Sequence, residues 1–382
     1  MWFMFLASLV NLKCGVFMHS MEKSTDRSVR ERLGKVWFHV AFLVSVSLPI
    51  IVLMVLDWLN IESFHVFNLN SRFLFLETWK GRMFYLFFLW LLALESIIDW
   101  DKIVEKKPKN PFRIFAFFVA TAVPLIYVLG VNFWGFNEFI TSIGRALGFT
   151  GYFLTFHWPL SAEYIVFTVF YLVAIFLAYK IEGLKFFAIA LSLLAGMCII
   201  YAINTFSGIE GFKPFDMLAL PTSACAAALL DILGYNVTLQ YTSGVGSMPL
   251  IVINGVYPPA AAYIGWPCAG VHSLFLFVVI ILLLFKRSNI SSYRKFIYFV
   301  VGVVGTYFAN ILRIASYFII SVNSGKAAAD FFHNTLGELY FIVWISIYIL
   351  IIISIEKYKL VEKTRYSVHK LFFILKNAKS KV

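Results

Sequence analysis

Three side chains of this sequence combine a nucleophile, a cation and a base: Cys268, Arg313 and His333. Each lies at the edge of a different hydrophobic segment. A thiol can attack a carbonyl carbon, a guanidinium can stabilise the resulting oxyanion, and an imidazole can move the proton. Together they are sufficient for acyl transfer through a thioester, which favours an enzyme over a pore.

The nucleophile candidate lies in the stretch Trp266-Pro-Cys-Ala-Gly270. Pro267 suits the first turn of a helix, which predicts that Cys268 lies at the N-terminus of a membrane span. The helix dipole and free backbone N–H groups at such an end favour a thiolate and can hold an oxyanion. Gly270 is expected to let a substrate backbone approach closely. The competing interpretation is a buried, unreactive membrane cysteine.

Arg313 is the cation of the set and lies inside an apolar segment that begins at Phe296. An arginine within a span costs about 2.5 kcal/mol or more, so it usually faces the protein interior and has a function. Asn310 and Tyr317 share its helical face and are expected to orient it. Asn310 is also a candidate substrate-binding residue. The alternative is a purely structural or snorkelling arginine.

Two histidines compete for the role of base. His333 lies just before the last apolar segment, at the level expected for Cys268, and can approach the thiol from a separate helix. His272 follows Cys268 by four residues and would share its helical face. Glu338, one turn deeper than His333, is a candidate acceptor for the ring or for Arg313 and a third substrate-site residue. The sequence leaves the choice of base open.

The composition requires a membrane around most of the chain. Of 382 residues 61% are hydrophobic and 14% charged, whereas a soluble domain is about half apolar and a quarter charged. The net charge of +12 comes mostly from short loops and the tail, a positive-inside pattern rather than a nucleic-acid surface. The four cysteines have neither disulfide-framework nor metal-ligand spacing. No metal, cofactor or nucleic-acid partner is therefore expected.

Eight runs have the length and hydrophobicity of a membrane span. If all the basic loops are cytoplasmic, an even number of spans must separate each from the next, which places Cys268, Arg313 and His333 near the outer face of the plasma membrane. The same rule makes the short segment Met217–Leu233 an interfacial or re-entrant helix. The eight spans are Val36–Leu56, Met83–Ile98, Phe112–Phe133, Tyr164–Tyr179, Phe186–Phe206, Ile264–Phe285, Phe296–Ile320 and Leu336–Ile355.

The predicted fold is an all-α polytopic membrane protein with a small extracytoplasmic β-hairpin before the helix of Cys268. Alternation in Tyr235–Thr242 and the β-branched run Leu250–Ile253, separated by a turn-rich break, predict the hairpin. Three regions are expected: residues 1–180 with about four spans, a catalytic core at 181–356, and a basic cytoplasmic tail at 357–382. The tail is expected to bind anionic lipid.

The motifs resemble those of the exosortase/archaeosortase family of membrane transpeptidases. The match consists of Cys268-Ala-Gly270, Asn310-Ile-Leu-Arg313-Ile314 and His333 before the last span, and the similarity covers about residues 185–355. The variant around Cys268 and the Lys/Ile/Phe-rich composition are similar to those of the thaumarchaeal branch. In the family these positions act as the nucleophile, the arginine stabiliser and the base.

The resemblance implies a substrate and a reaction. Substrates of the family are exported proteins whose C-terminal signal has a short motif, a transmembrane helix and a basic end. Cleavage at the outer face would pass through a thioester on Cys268, with a membrane lipid as the expected acceptor. Two alternatives stay open: a protease or acyltransferase that hydrolyses its thioester, and a transporter or channel, which the lack of an internal repeat disfavours.

Overall fold

The computed structural model describes the chain in stretches separated by gaps. Glu338 and most of the predicted basic tail lie outside the described residues. These stretches are residues 26–58, 82–106, 108, 110–151, 153–207, 215–241, 248–255, 259–286, 288–337 and 339–358.

The first half of the described chain consists of helices. A short π-helical turn, Phe153–His157, leads directly into the helix Trp158–Phe186. The helices are α1 (Asp26–Trp58), α2 (Met83–Ile98), α3 (Trp100–Val104), α4 (Pro111–Phe133), α5 (Phe136–Ala146), α6 (Trp158–Phe186) and α7 (Ala188–Ser207).

The second half adds a small sheet between helices. A 3₁₀ turn at Asp216–Leu218 precedes the first helix, and a π-helical turn at Phe332–Leu336 precedes the last. The helices are α8 (Ala219–Ile232), α9 (Val271–Lys286), α10 (Ser292–Ser324), α11 (Lys326–Phe331) and α12 (Leu339–Lys357), and the strands are β1 (Asn236–Tyr241), β2 (Pro249–Asn254) and β3 (Ala260–Tyr263).

The helix bounds follow from the capping residues. The side chain of Asn110 accepts a hydrogen bond of 2.9 Å from the backbone N–H of Phe112, and Pro111 occupies the first helical position of α4. Both are standard signals for the start of a helix. Gly325 ends α10 with φ of 83°, a conformation that favours glycine.

The chain is a multi-pass membrane protein, as the composition predicts. Six helices or helical segments of the described chain are long and apolar enough to cross a membrane. Two further predicted spans form α2 and α9, which are apolar but have only 16 residues each, just below the usual minimum of about 17. The all-α polytopic fold is confirmed, whereas the count of eight full-length spans is not.

The sheet has three strands, not the two of a hairpin. Its order is β1-β2-β3, with both pairs antiparallel. The strand β3 is not evident from the sequence, because its residues, Ala260-Ala-Ala-Tyr263, include three alanines, which have low strand propensity. The structure therefore corrects the hairpin to a three-stranded meander that ends just before the turn of Cys268.

A hydrophobic cluster joins the sheet to the helices behind it. Ile251 and Ile253 of β2 are buried in one cluster with Ile311 and Phe318 of α10, and Cys268 packs against this cluster. Burial of such side chains contributes roughly 1.5–3 kcal/mol each. The sheet is thereby fixed beside the nucleophile candidate.

Two glycines let α10 approach its neighbours closely. A methyl group at Gly302 would overlap Phe277 of α9 and Tyr348 of α12, and one at Gly305 would overlap the indole of Trp344. Small residues at helix contacts allow close packing within a membrane, where apolar burial between helices provides little drive. This packing brings α9, α10 and α12 together about two helical turns from Arg313, further into the bundle than the candidate site.

The predicted boundary between residues 180 and 181 coincides with a kink in α6. Lys180 has φ of 57° and ψ of −153°, outside the helical region. The main hydrophobic cluster nevertheless includes Tyr179 on one side and Ile189 on the other. Packing is therefore continuous across the boundary.

The buried carboxylate of Glu95 connects three helices at the end of the bundle opposite to Cys268. Glu95 of α2 is fully buried and accepts a hydrogen bond of 2.8 Å from the backbone N–H of Ala190, in the first turn of α7. It also forms an ion pair of 2.6 Å with Lys286 of α9. The carboxylate thus accepts hydrogen bonds from N–H groups that have no partner within α7, and it neutralises the charge of Lys286 on α9.

We expect Glu95→Ala to lower the stability of the protein markedly. Breaking a buried pair by removing one partner costs about 3–5 kcal/mol, since Lys286 loses its nearest carboxylate. Glu95→Gln keeps an acceptor for the N–H groups of α7 and is expected to cost less. Thermal unfolding in detergent measures this order. The control Glu182→Ala removes the exposed pair with Lys106 and should leave the melting temperature unchanged; an equal loss in both variants would contradict the prediction.

Candidate active site

Cys268 lies in a turn, not in a helix. The turn spans residues 266–270 between β3 and α9, and the helix starts only at Val271. The backbone N–H of Cys268 donates to the carbonyl oxygen of Gly265 at 3.0 Å, and that of Ala269 donates to the same oxygen at 3.1 Å. The prediction that Pro267 and Cys268 begin the helix is therefore wrong, because the helix begins three residues after the thiol.

The thiol faces an imidazole from a different element. The Sγ atom of Cys268 lies 3.7 Å from Nε2 of His333, and both residues are partly buried. His333 belongs to the π-helical turn between α11 and α12. This is hydrogen-bond range for sulfur, so the arrangement allows the thiol proton to move to the imidazole.

The rival histidine has a different environment. His272 is buried at 2% exposure among aromatic rings. Its ring centroid lies 4.9 Å from that of Trp266 and 5.2 Å from that of Phe84, a residue of α2. The side chain thus packs between the turn of Cys268 and the N-terminal half of the protein, whereas the contact with the thiol comes from His333.

Arg313 lies on α10 beside the turn that carries His333. Its side chain is buried at 8% exposure. A methyl group at Gly337 would lie 2.8 Å from Nε of Arg313 and 2.9 Å from the carbonyl oxygen of His333. The absence of a side chain at Gly337 therefore lets the arginine approach the backbone of the His333 turn.

Asn310 links α10 to the nucleophile turn. Its Nδ2 donates a hydrogen bond of 2.8 Å to the carbonyl oxygen of Cys268. Gly270, with φ of 90°, lies against the same side chain, since a methyl group there would be 3.0 Å from Nδ2 of Asn310. Asn310 and Gly270 are thus in contact with each other and with the turn of Cys268, one helical turn before Arg313. Glu338, the third predicted substrate-site residue, lies outside the described residues.

The structure adds site neighbours whose contacts the sequence analysis did not foresee. The hydroxyl of Tyr317 donates a hydrogen bond of 3.0 Å to Asp330, and its ring meets that of His333 edge-on, with centroids 5.8 Å apart. Thr222 of α8 has its hydroxyl oxygen 3.3 Å from the carbonyl oxygen of Ala269. The spacing of one helical turn between Arg313 and Tyr317 is a sequence signal that Tyr317 lies near the candidate site. No sequence signal indicates the contact of Thr222.

In the described part of the chain, neither a metal site nor a second pair of a cysteine and a histidine is present. Among the described residues, no group of three or more His, Cys, Asp or Glu side chains could hold a metal ion. Cys198 is partly buried in α7, and Cys225 is exposed on α8. The pairing of Cys268 with an imidazole distinguishes it from these two thiols in the described chain.

We expect His333→Gln to slow alkylation of Cys268 by about tenfold at neutral pH, because glutamine cannot take the thiol proton. His272→Gln should leave this rate nearly unchanged, since His272 packs among aromatic rings. The measurement is N-ethylmaleimide modification followed over time by mass spectrometry of the peptide that contains Cys268. A larger effect of His272→Gln would reverse the assignment of the base.

A family model described as transmembrane exosortase matches residues 77–350. The matched range covers more than half of the chain and includes Cys268, Arg313 and His333. It also begins well before residue 185, where the motif-based resemblance starts, and so includes most of the N-terminal helices. Searches of curated proteins and of solved structures found no match.

Proposed function

Since the chain belongs to the transmembrane exosortase family of membrane cysteine peptidases and transpeptidases in protein sorting, we propose that it cleaves a C-terminal sorting signal and transfers the new C-terminus to an acceptor. The observation that carries this proposal is the pair of Cys268 Sγ and His333 Nε2, 3.7 Å apart. Cys268 is the proposed nucleophile, His333 the base and Arg313 the oxyanion stabiliser.

The first half-reaction forms the thioester. His333 accepts the proton of Cys268, and the sulfur attacks the scissile carbonyl carbon. The carbonyl oxygen becomes an oxyanion that Arg313 stabilises. This role falls mainly to the arginine because the N–H groups of Cys268 and Ala269 already donate to Gly265. When the C–N bond breaks, His333 gives its proton to the leaving amine.

The second half-reaction releases the protein. An acceptor with a hydroxyl or amino group enters, loses its proton to His333 and attacks the thioester carbonyl. The C–S bond breaks, and His333 returns the proton to the sulfur of Cys268. We propose a membrane lipid as the acceptor. Water in its place would make the enzyme a protease.

The proposed substrate is an exported protein with a recognition motif, a transmembrane helix and a basic end at its C-terminus. Its cleavage site would lie at the extracytoplasmic face of the plasma membrane. The distribution of Lys and Arg supports this orientation, since Lys286 ends α9 and Arg294 and Lys295 lie in the first turn of α10, at the helix ends remote from Cys268 and Arg313. Family membership and the thiol–imidazole pair favour this function over a transporter or channel.

The test uses membranes that contain the protein and a tagged substrate with such a C-terminal signal. We expect loss of the C-terminal helix only in membranes that contain this chain. The mass of the new C-terminus identifies the acceptor: a lipid adduct indicates transfer, a free acid hydrolysis, and a hydroxamate in added hydroxylamine a trapped thioester. An intact substrate, whatever signal-bearing protein from the same source is tried, would overturn the proposal.

A further inference from the structure

The strand β3 has an open edge that leads straight to the nucleophile candidate. Within the described residues, β3 pairs with β2 on one side, and no strand pairs with its other side. Only Ile264 and Gly265 separate its last residue, Tyr263, from the turn that holds Cys268. An extended chain lying along this edge would therefore reach the thiol.

The hydrogen-bond register shows which backbone groups face the open edge. The N–H of Ile264 donates to the carbonyl oxygen of Pro249 at 2.9 Å, which makes these two residues a hydrogen-bonded pair. Hydrogen-bonded and non-hydrogen-bonded pairs alternate along an antiparallel ladder. Ala262 and Ala260 therefore bond to β2, whereas Ala261 and Tyr263 direct their N–H and C=O groups away from it.

These outward groups are available for pairing. Both Ala261 and Tyr263 are exposed, and in the described part of the chain their backbone groups have no hydrogen-bond partner. Proteins usually protect an exposed edge with charged side chains, proline or a bulge. The strand Ala260–Tyr263 contains no charge and no proline. Its two outward residues present one donor and one acceptor each, spaced for an added strand.

We propose that the open edge of β3 binds the extended segment of the substrate next to the scissile bond, as an added fourth strand. This rests on the proposed function and names the recognition surface that serves it. Strand addition supplies affinity through backbone hydrogen bonds, and side-chain pockets supply selectivity. The occupant is an extended peptide, since the exposed groups are backbone donors and acceptors, not charges.

The position of the sheet favours β3 over the edge formed by β1. Neighbouring strands lie about 4.8 Å apart, so the β1 edge is two strand spacings, roughly 10 Å, further from the chain that continues to Cys268. By the same alternation, Tyr241 at the end of β1 directs its N–H outward. Tyr241 and Tyr263 are exposed to similar extents, 60% and 56%. They form a matched pair for comparison.

The test is proline substitution at these two tyrosines. Tyr263→Pro removes the outward N–H and leaves the bonds between β2 and β3, because proline is tolerated on an edge whose N–H faces solvent. We expect it to slow processing of the tagged substrate at least tenfold. Tyr241→Pro should process at nearly the normal rate, and Tyr263→Ala, which keeps the outward N–H, should lose much less than Tyr263→Pro. N-ethylmaleimide modification of Cys268 should be unchanged in all three, which shows that the site is intact.

The outcomes separate this proposal from the proposed function. If the unmodified protein processes the substrate and Tyr263→Pro does so equally fast, edge binding is wrong while the enzyme assignment stands. If Tyr241→Pro has the same effect as Tyr263→Pro, the sheet is structural only. If not even the unmodified protein processes any substrate, the proposed function is wrong, and edge binding of a substrate is wrong with it.

Cross-linking decides the case in which Tyr263→Pro does not fold. In a Cys268→Ser background, Tyr263→Cys is oxidised with copper phenanthroline against substrates that carry single cysteines along the recognition segment. Because side chains alternate along a strand, cross-links should appear at every second substrate position and be absent without the added cysteine. Cross-links without this period, or equally strong ones from Tyr241→Cys, would overturn strand addition.

Discussion

We expect Cys268→Ala to lower the rate at which the tagged substrate is processed by at least about 10³-fold, because the proposed thioester forms on this thiol. Cys268→Ser should lose nearly as much, since a hydroxyl at that position gives up its proton far less readily than a thiol. The measurement is the fraction of substrate that loses its C-terminal helix over time. Hydroxylamine should yield a hydroxamate only with the unmodified protein.

The matched control for this substitution is Cys225→Ala. Cys225 is an exposed thiol on α8, and no contact with a base is present in the described chain. We expect normal processing by this variant, which shows that loss of a thiol as such is harmless. Processing by Cys268→Ala at a rate near that of the unmodified protein would exclude the thioester mechanism.

The helices could be predicted from the sequence because their hydrophobic runs have the length of a membrane span. The predicted run Val36–Leu56 lies inside α1, and Met83–Ile98 coincides with α2. The strand β3 could not be predicted, since Ala260–Tyr263 forms a strand through pairing with β2 and not through its own propensity.

Residue types and span parity single out the three candidate residues, but their contacts could not be predicted. Parity predicts that Cys268 and His333 share a level, while only the packing of α9, α10 and α12 gives the 3.7 Å between them. The choice between His333 and His272 likewise depends on which direction each ring faces. Sequence spacing alone places His272 equally well.

The N-terminal helices contribute to the site through aromatic packing. The ring of Tyr164 in α6 stacks on that of Tyr201 in α7 at 5.2 Å, and Tyr201 meets Trp266 at 6.4 Å. Phe84 of α2 and Trp266 enclose His272. The turn of Cys268 is therefore held between the two halves of the protein, which fits a family match that includes most of the N-terminal helices.

Arg313→Lys is expected to slow processing by about 10²–10³-fold while the protein folds normally. Removing one oxyanion-stabilising donor typically costs this much. Lysine keeps the charge but lacks the planar fork of donors, so it cannot reproduce the same geometry. Arg313→Gln should lose at least as much. N-ethylmaleimide should still modify Cys268 at nearly the normal rate in both variants. The reason is that the group that contacts the thiol and is proposed to take its proton is His333.

The comparison that isolates this role is Arg82→Lys. Arg82 is also buried, and it donates to both carboxylate oxygens of Glu163, at 2.9 and 2.7 Å. Lysine cannot form this bidentate pair, so the variant should unfold at a lower temperature yet keep most of its processing rate. If Arg313→Lys behaves the same way, with reduced stability and nearly normal processing, Arg313 is structural. Retained stability with lost processing requires a role in substrate binding or in the reaction, because a purely structural group would not lower the rate and leave the fold unchanged.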